Sequence, residues 1–199
     1  MTKEKIVLAS GNLDKVREIN TLLSSTKYEI IPQSQFKIIE AEETGTTFLE
    51  NALIKARNAA EHTTYPVIAD DSGIEVDALE GKPGIFSARY AGPTASDEEN
   101  LNKLIENIKK LDQKNCYARF ICSMVFLKNS NDIDPIVATG VWEGRVVSTP
   151  CGQNGFGYDP IFYIPALGCT SAELSNHKKN ELSHRGQALR LLIKKISDQ

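Results

Sequence analysis

Two carboxylates stand side by side at Asp70 and Asp71, followed by Ser72 and Gly73. Adjacent like charges repel, so the pair needs something positive near it. A hard divalent cation with oxygen ligands would meet that need, and Mg²⁺ commonly takes one or two carboxylates together with phosphate oxygens. A solvated turn with two acids is the plainer alternative for the dipeptide alone. Its surroundings weigh against that alternative. Gly81, Gly84 and Gly92, with Pro83, specify a fixed irregular backbone path, and Arg89 and Tyr90 add a cation and an aromatic.

A second chemistry is carried by cations in unusual places. Lys15 falls in the first turn of an expected helix, and Arg185, with a potentially charged His184, opens another; Lys178 and Lys179 lie just before the latter. A helix start favours negative charge, so these cations oppose the dipole. The same backbone N–H groups attract phosphate. Taken singly, a solvated lysine or a surface histidine explains each position. Two helix starts breaking one rule point to an anion site built from both. The Walker A spacing is absent. In Gly155-Phe156-Gly157-Tyr158-Asp159-Pro160, two glycines flank an aromatic. Such a backbone either approaches a flat ligand, with Phe156 stacked on a base, or is a structural loop. Glu42 and Glu43 read as acids leading into a helix or as a further carboxylate near the metal.

These residues need elements to position them. Ile6–Ala9 reads as a strand, Ser10-Gly11-Asn12 as a turn, and residues 14–24 as a helix with Val16, Ile19, Leu22 and Leu23 inward. Residues 28–31 give a weak strand. Thr47 and Glu50 fit a capping box, with Leu49, Leu53, Ala56 and Ala60 on one face of the helix and Asn51, Lys55 and Asn58 on the other. Val67-Ile68-Ala69 reads as a buried strand that stops at the acids, and strand ends are where ligands collect in α/β proteins. Ser96 and Glu99 form a second box before a packing helix. Residues 117–127 make a long strand; Ile136–Trp142 and Arg145–Ser148 read as a hairpin turning at Glu143-Gly144; Ile161–Ile164 is a short strand. The last helix spans about 183–196. Alternating strands and helices early, then consecutive strands, predict a mixed sheet in an α/β fold.

The 199 residues fit one domain over 1–199, with room for two lobes. A net charge of −3 argues against a broad nucleic-acid footprint. No apolar run approaches the roughly 20 residues that span a bilayer, and Met1-Thr2-Lys3-Glu4-Lys5 leads straight into a strand, unlike a signal peptide. Cys116, Cys122, Cys151 and Cys169 show no C-x-x-C spacing and read as free thiols in a reducing cytoplasm.

Six segments together resemble the inosine triphosphate pyrophosphatase family, which clears non-canonical purine nucleotides. They are Leu8–Lys15, Glu42–Ala52 with Lys55–Arg57, Ala69–Gly73, Gly84–Gly92, Gly155–Pro160 and Ser183–Gly186. They fall in the family's order and span nearly the whole chain. The resemblance implies an elongated mixed sheet flanked by helices, with two lobes and a cleft between them, in a homodimer. It implies Mg²⁺-dependent hydrolysis of dITP, ITP or XTP to the monophosphate and pyrophosphate. It casts Asp71 as proton acceptor and metal ligand, Glu43 as the other metal-linked carboxylate, and Asp70 and Lys55 as support. Ser10, Gly11, Asn12, Lys15 and Lys179 become triphosphate and sugar contacts. Ser72 borders the substrate. Phe156, Gly157, Tyr158, Asp159, His184 and Arg185 become the base pocket.

Overall fold

β1 (Glu4–Leu8) and β2 (Tyr28–Pro32) pair in parallel, and β3 (Val67–Val76) lies parallel to β1, with Val7 opposite Val67. A computed structural model describes residues 3–24, 26–111 and 116–198. The sheet has seven strands in the order β2-β1-β3-β4-β5-β6-β7, completed by β4 (Cys116–Leu127), β5 (Ile136–Val146), β6 (Phe162–Ile164) and β7 (Cys169–Thr170). The β5–β6 and β6–β7 pairs are antiparallel, so the sheet is mixed as expected.

The chain forms two compact units. The first takes the chain up to Asp71, then Cys122–Gly140, then everything from Arg185. Here the strands are buried on both faces. Successive residues of a strand point to opposite sides. Ile6, Leu8, Ile30, Ile68, Met124 and Phe126 pack with Val16, Ile19 and Leu23 of α1 (Leu13–Leu23) and with Ala188, Leu189 and Leu192 of the last helix, α5 (His184–Ser197). Val7, Ile31, Val67, Ala69, Val125 and Leu127 face the other way, onto the alanine stripe Ala52, Ala56 and Ala59 of α2 (Phe48–Ala60). The small residues of that stripe bring the backbone of α2 close to the sheet.

The second unit comprises Ser72–Ile121 and Val141–His184. Its core joins Ile74, Val76, Phe120, Trp142 and Phe162 to Leu104, Ile105 and Ile108 of α3 (Asp97–Lys109). The alternate residues Tyr117 and Val141 are exposed at 53% and 38%. α4 (Asn176–Leu182) precedes Ser183.

Four local expectations change. β3 does not stop at the acids but runs on to Val76, with Asp70 and Asp71 both buried. Buried carboxylates survive in a strand when each has a partner, and both do. Glu143-Gly144 is not a turn: β5 is one strand from Ile136 to Val146. Gly144 is needed for closeness, since a Cβ there would stand 2.7 Å from the Phe162 ring and the Tyr163 carbonyl. Thr47 caps α2 as expected, but Glu50 reaches one residue further back, accepting from the Thr46 N–H at 2.6 Å and its hydroxyl at 2.8 Å. The Ser96–Glu99 box forms in full. α4 went unforeseen, because its seven residues, Asn-His-Lys-Lys-Asn-Glu-Leu, show no apolar period.

Candidate active site

In the first unit, β3 carries Asp70 and Asp71 to opposite faces. Asp70 shares the face of Ile68 and meets α1 and α5. The Lys15 ammonium lies 3.1 Å from Asp70 Oδ2, and Arg185 Nε and Nη2 each lie 3.4 Å from the same oxygen. Arg185 Nη1 also donates to Glu18 Oε2 at 2.6 Å. Both helix-start cations thus share one internal anion. Burial alone would push the Asp70 carboxyl up; Lys15 and Arg185 outweigh it and hold it well below the usual carboxylate range. Burial works against the Arg185 charge, and Asp70 and Glu18 raise its value regardless. The Cys122 thiol lies 3.9 Å from Asp70 Oδ2, and burial pushes its value up, so it is an inert thiol. All four cysteines are free, as expected.

Asp71 shares the face of Ala69 and meets α2. Lys55 Nζ donates to Asp71 Oδ1 at 3.0 Å and to Glu43 Oε1 at 2.8 Å, while Asn51 Nδ2 donates to Asp71 Oδ2 at 3.2 Å. Asn51 and Lys55 are one helical turn apart, so one face of α2 holds both oxygens of the acid. Burial raises the Asp71 value, and the pull of Lys55 and Lys15 downward does not cancel it. A carboxyl raised in this way takes a proton more readily than an ordinary carboxylate does. Burial lowers the Lys55 value, but Asp71, Asp70 and Glu43 raise it by more, so it stays charged.

The N-terminal turn is built by its own side chains. Asn12 caps α1, its Oδ1 accepting from the N–H groups of Asp14 at 2.9 Å and Lys15 at 3.1 Å. Ser10 Oγ accepts from the Asn12 N–H at 3.2 Å. Gly11 is exposed at the crest of this turn.

In the second unit, Ser72 follows the acids on β3 and is half-buried. Asp159 is 3% exposed and organises the glycine loop. It accepts from Lys179 Nζ at 2.6 Å, the Phe156 N–H at 2.8 Å and the Ser171 hydroxyl at 2.8 Å. Lys179 Nζ lies 4.7 Å from the Phe156 ring centroid. Gly155 has φ +76°, and a Cβ there would stand 2.8 Å from Asp159 Cγ, so both conformation and space require glycine. The Gly157 N–H donates to Asp97 Oδ2 at 3.0 Å. The Tyr158 hydroxyl donates to the Ser87 carbonyl at 2.7 Å, a structural pin. The His184 ring stacks on Phe120 at 4.7 Å between centroids. An open pocket of about 370 Å³ beside the loop is lined by Asp97, Leu101, Asn154, Phe156 and Gly157 among others.

The structure therefore brings Lys15, Asp70 and Arg185 together, and Asp71 with Lys55 and Glu43. In the second unit it joins Phe156, Asp159 and Lys179. Sequence reasoning missed Asn51, Glu18, Ser171 and Asp97 as partners. Asn51 is fully buried, and its position one turn before Lys55 was the available signal. The other three make contacts across 167, 12 and 60 residues.

Comparison with known proteins agrees over nearly the whole chain. The family model described as the Ham1 family matches residues 6–195. A protein of Vibrio parahaemolyticus named dITP/XTP pyrophosphatase is 54% identical over 98% of each chain. One of the same name from Thioalkalivibrio sulfidiphilus is 55% identical over 96% of this chain and 98% of its own. Among solved structures, a HAM1 protein from Coxiella burnetii superposes with a TM-score of 0.90 at 46% identity, covering 98% of this chain and 100% of that one.

Proposed function

The chain belongs to the Ham1 family, and we propose from that membership and from the site that it hydrolyses non-canonical purine nucleoside triphosphates. dITP, ITP or XTP would yield the monophosphate and pyrophosphate. The observation that carries this reading is Asp71, a buried carboxylate held through both oxygens by Lys55 and Asn51 with its proton affinity raised. In this reading Asp71 takes the proton of the attacking water. Lys55 keeps the carboxylate in place, and Asn51 fixes its rotation. The Ser10–Lys15 turn and Lys15 bind the phosphates, which need positioning and neutralisation more than covalent chemistry. In the second unit, Phe156 offers a face for stacking. Lys179 and Asp159 hold that ring and its loop in shape, and Lys179 also serves sugar and phosphate. Gly157, Tyr158 and His184 complete the second unit's part in reading the base, with Ser72 bordering the substrate, while Arg185 in the first unit supports Asp70. A donor aimed at a 6-oxo group is left unpaired by adenine, which gives strong discrimination.

The residues fit Mg²⁺. Among the described residues no cluster of three or more His, Cys, Asp or Glu could hold a metal ion. Glu43 and Asp71 instead offer hard oxygen ligands on either side of Lys55, the one or two carboxylates that Mg²⁺ takes beside substrate phosphates. When bound, the ion would polarise the phosphates and lower the pKa of water. A homodimer is the assembly we favour, supported by the family resemblance and the exposed Tyr117 and Val141. The cytoplasm, where nucleotides are made, is the favoured location; no described helix is long and apolar enough to cross a membrane.

The test is to incubate the protein with dITP, XTP, dATP and dUTP, with Mg²⁺ or with EDTA, and to separate pyrophosphate from orthophosphate. Pyrophosphate from dITP and XTP, far above dATP and abolished by EDTA, is expected. Orthophosphate alone, or equal rates on dATP and dITP, would refute the reading.

A further inference from the structure

Glycine at position 11 is not required by backbone conformation, since its φ is not positive. It is required by space. A Cβ there would overlap the Glu40 carboxylate, with Glu40 Cδ only 2.9 Å away. A glycine at an anion-binding turn leaves room for a phosphate oxygen to approach the backbone. In this chain an internal carboxylate fills that room. Glu40 Oε1 also accepts from Gln33 Nε2 at 3.3 Å, and Gln33 is 6% exposed, so the carboxylate has an anchor on the first unit itself. Glu40 is otherwise exposed and can swing away without unburying apolar surface.

We infer that Glu40 is a stand-in for phosphate, a carboxylate resting on the Gly11 turn that the incoming polyphosphate must displace, and so sets substrate affinity. This rests on the reading that the Ser10–Lys15 turn holds phosphates. A helix start favours negative charge beside it, and Gln33 holds the Glu40 carboxylate over the Gly11 turn at the start of α1. Once the polyphosphate arrives, the two anions compete for one place and repel each other. The repulsion acts on binding and leaves the chemistry at Asp71 alone.

The experiment compares the wild type with Glu40→Gln and Glu40→Ala. One arm measures kcat and KM on dITP; the other measures binding of inorganic tripolyphosphate by calorimetry, each at low and high salt. Both variants should lower KM and the tripolyphosphate Kd by roughly two- to fivefold, the scale of one exposed charge pair. kcat should stay within about twofold, and the gain should shrink at high salt because exposed charges are screened. Gln33→Leu, which removes the anchor, should give a smaller gain in the same direction. An unchanged KM, or one raised together with the Mg²⁺ requirement, overturns the inference; the latter would make Glu40 a metal-side ligand. If the wild type does not release pyrophosphate from dITP while tripolyphosphate still binds tighter to the variants, the proposed function fails and this inference stands. If it does release pyrophosphate and neither variant gains affinity, only the inference fails.

Discussion

Asp70 and Asp71 are adjacent on β3, yet their surroundings differ in kind. Asp70 lies between two cations, Lys15 and Arg185, on the face covered by α1 and α5. Its carboxyl is held well below the usual range. Asp71 is held by Lys55 and Asn51 on the face covered by α2, and burial keeps its value raised. One residue of strand separates an acid ion-paired to two cations from the acid proposed to take the proton, because strand alternation sends neighbours to different layers. Proton affinity in this pair is therefore set by which helices face each acid, and the two acids should respond to mutation in opposite ways.

The largest expected effect breaks the chemical side. Asp71→Asn should stay folded and lose about 10²–10⁴-fold in pyrophosphate release, the usual worth of a general base. Turnover within a few-fold of wild type would take Asp71 out of its role. Lys55→Met should come next. Removing the ammonium leaves Asp71 harder to ionise, so the acid limb of kcat/KM should move to higher pH as the neutral rate falls. An unmoved limb would separate Lys55 from Asp71.

Asn51→Ala should cost less, roughly tenfold in kcat with little change in KM, because it loosens one oxygen of Asp71 without changing charge. A rise in KM alone would reassign Asn51 to substrate binding. The smallest effect is on stability against pH, measured without metal. Asp71 binds its proton more tightly folded than unfolded, so its ionisation destabilises the fold at neutral pH, and that penalty fades as pH falls through the raised value. Asp71→Asn should thus gain stability over wild type at pH 7 and lose the advantage on acidification. Asp70 has the opposite sign. Its stabilisation is complete above the ordinary carboxylate value, about 4, and is lost as pH falls from there toward its depressed folded value.

Much of this arrangement was legible in the sequence. The strand–turn–helix start, the Ser96–Glu99 box and the mixed sheet follow from local period and capping chemistry. Cations at two helix starts signalled an anion; the structure supplies one internally, Asp70, which both reach. What stayed hidden depends on distant partners. β3 was expected to end at the acids because two carboxylates look incompatible with burial, and their compatibility comes from Lys15, Lys55 and Arg185. The Gly144 position read as a turn because glycine often marks one; its real cause is Phe162, a neighbour through strand pairing. His184 and Arg185 looked like one cationic pair, but the first stacks on Phe120 in the second unit and the second is ion-paired in the first. No local pattern divides adjacent residues in that way.

The most direct measurement of this division of labour is a pair of metal-free urea titrations, one on Asp70→Asn and one on Asp71→Asn, set against wild type at pH 7. Asp70→Asn removes the carboxylate between the buried Arg185 and the partly buried Lys15 and should cost about 3–5 kcal/mol, whereas Asp71→Asn should raise the midpoint. Equal losses in the two variants, or a stable Asp70→Asn protein, would contradict the account.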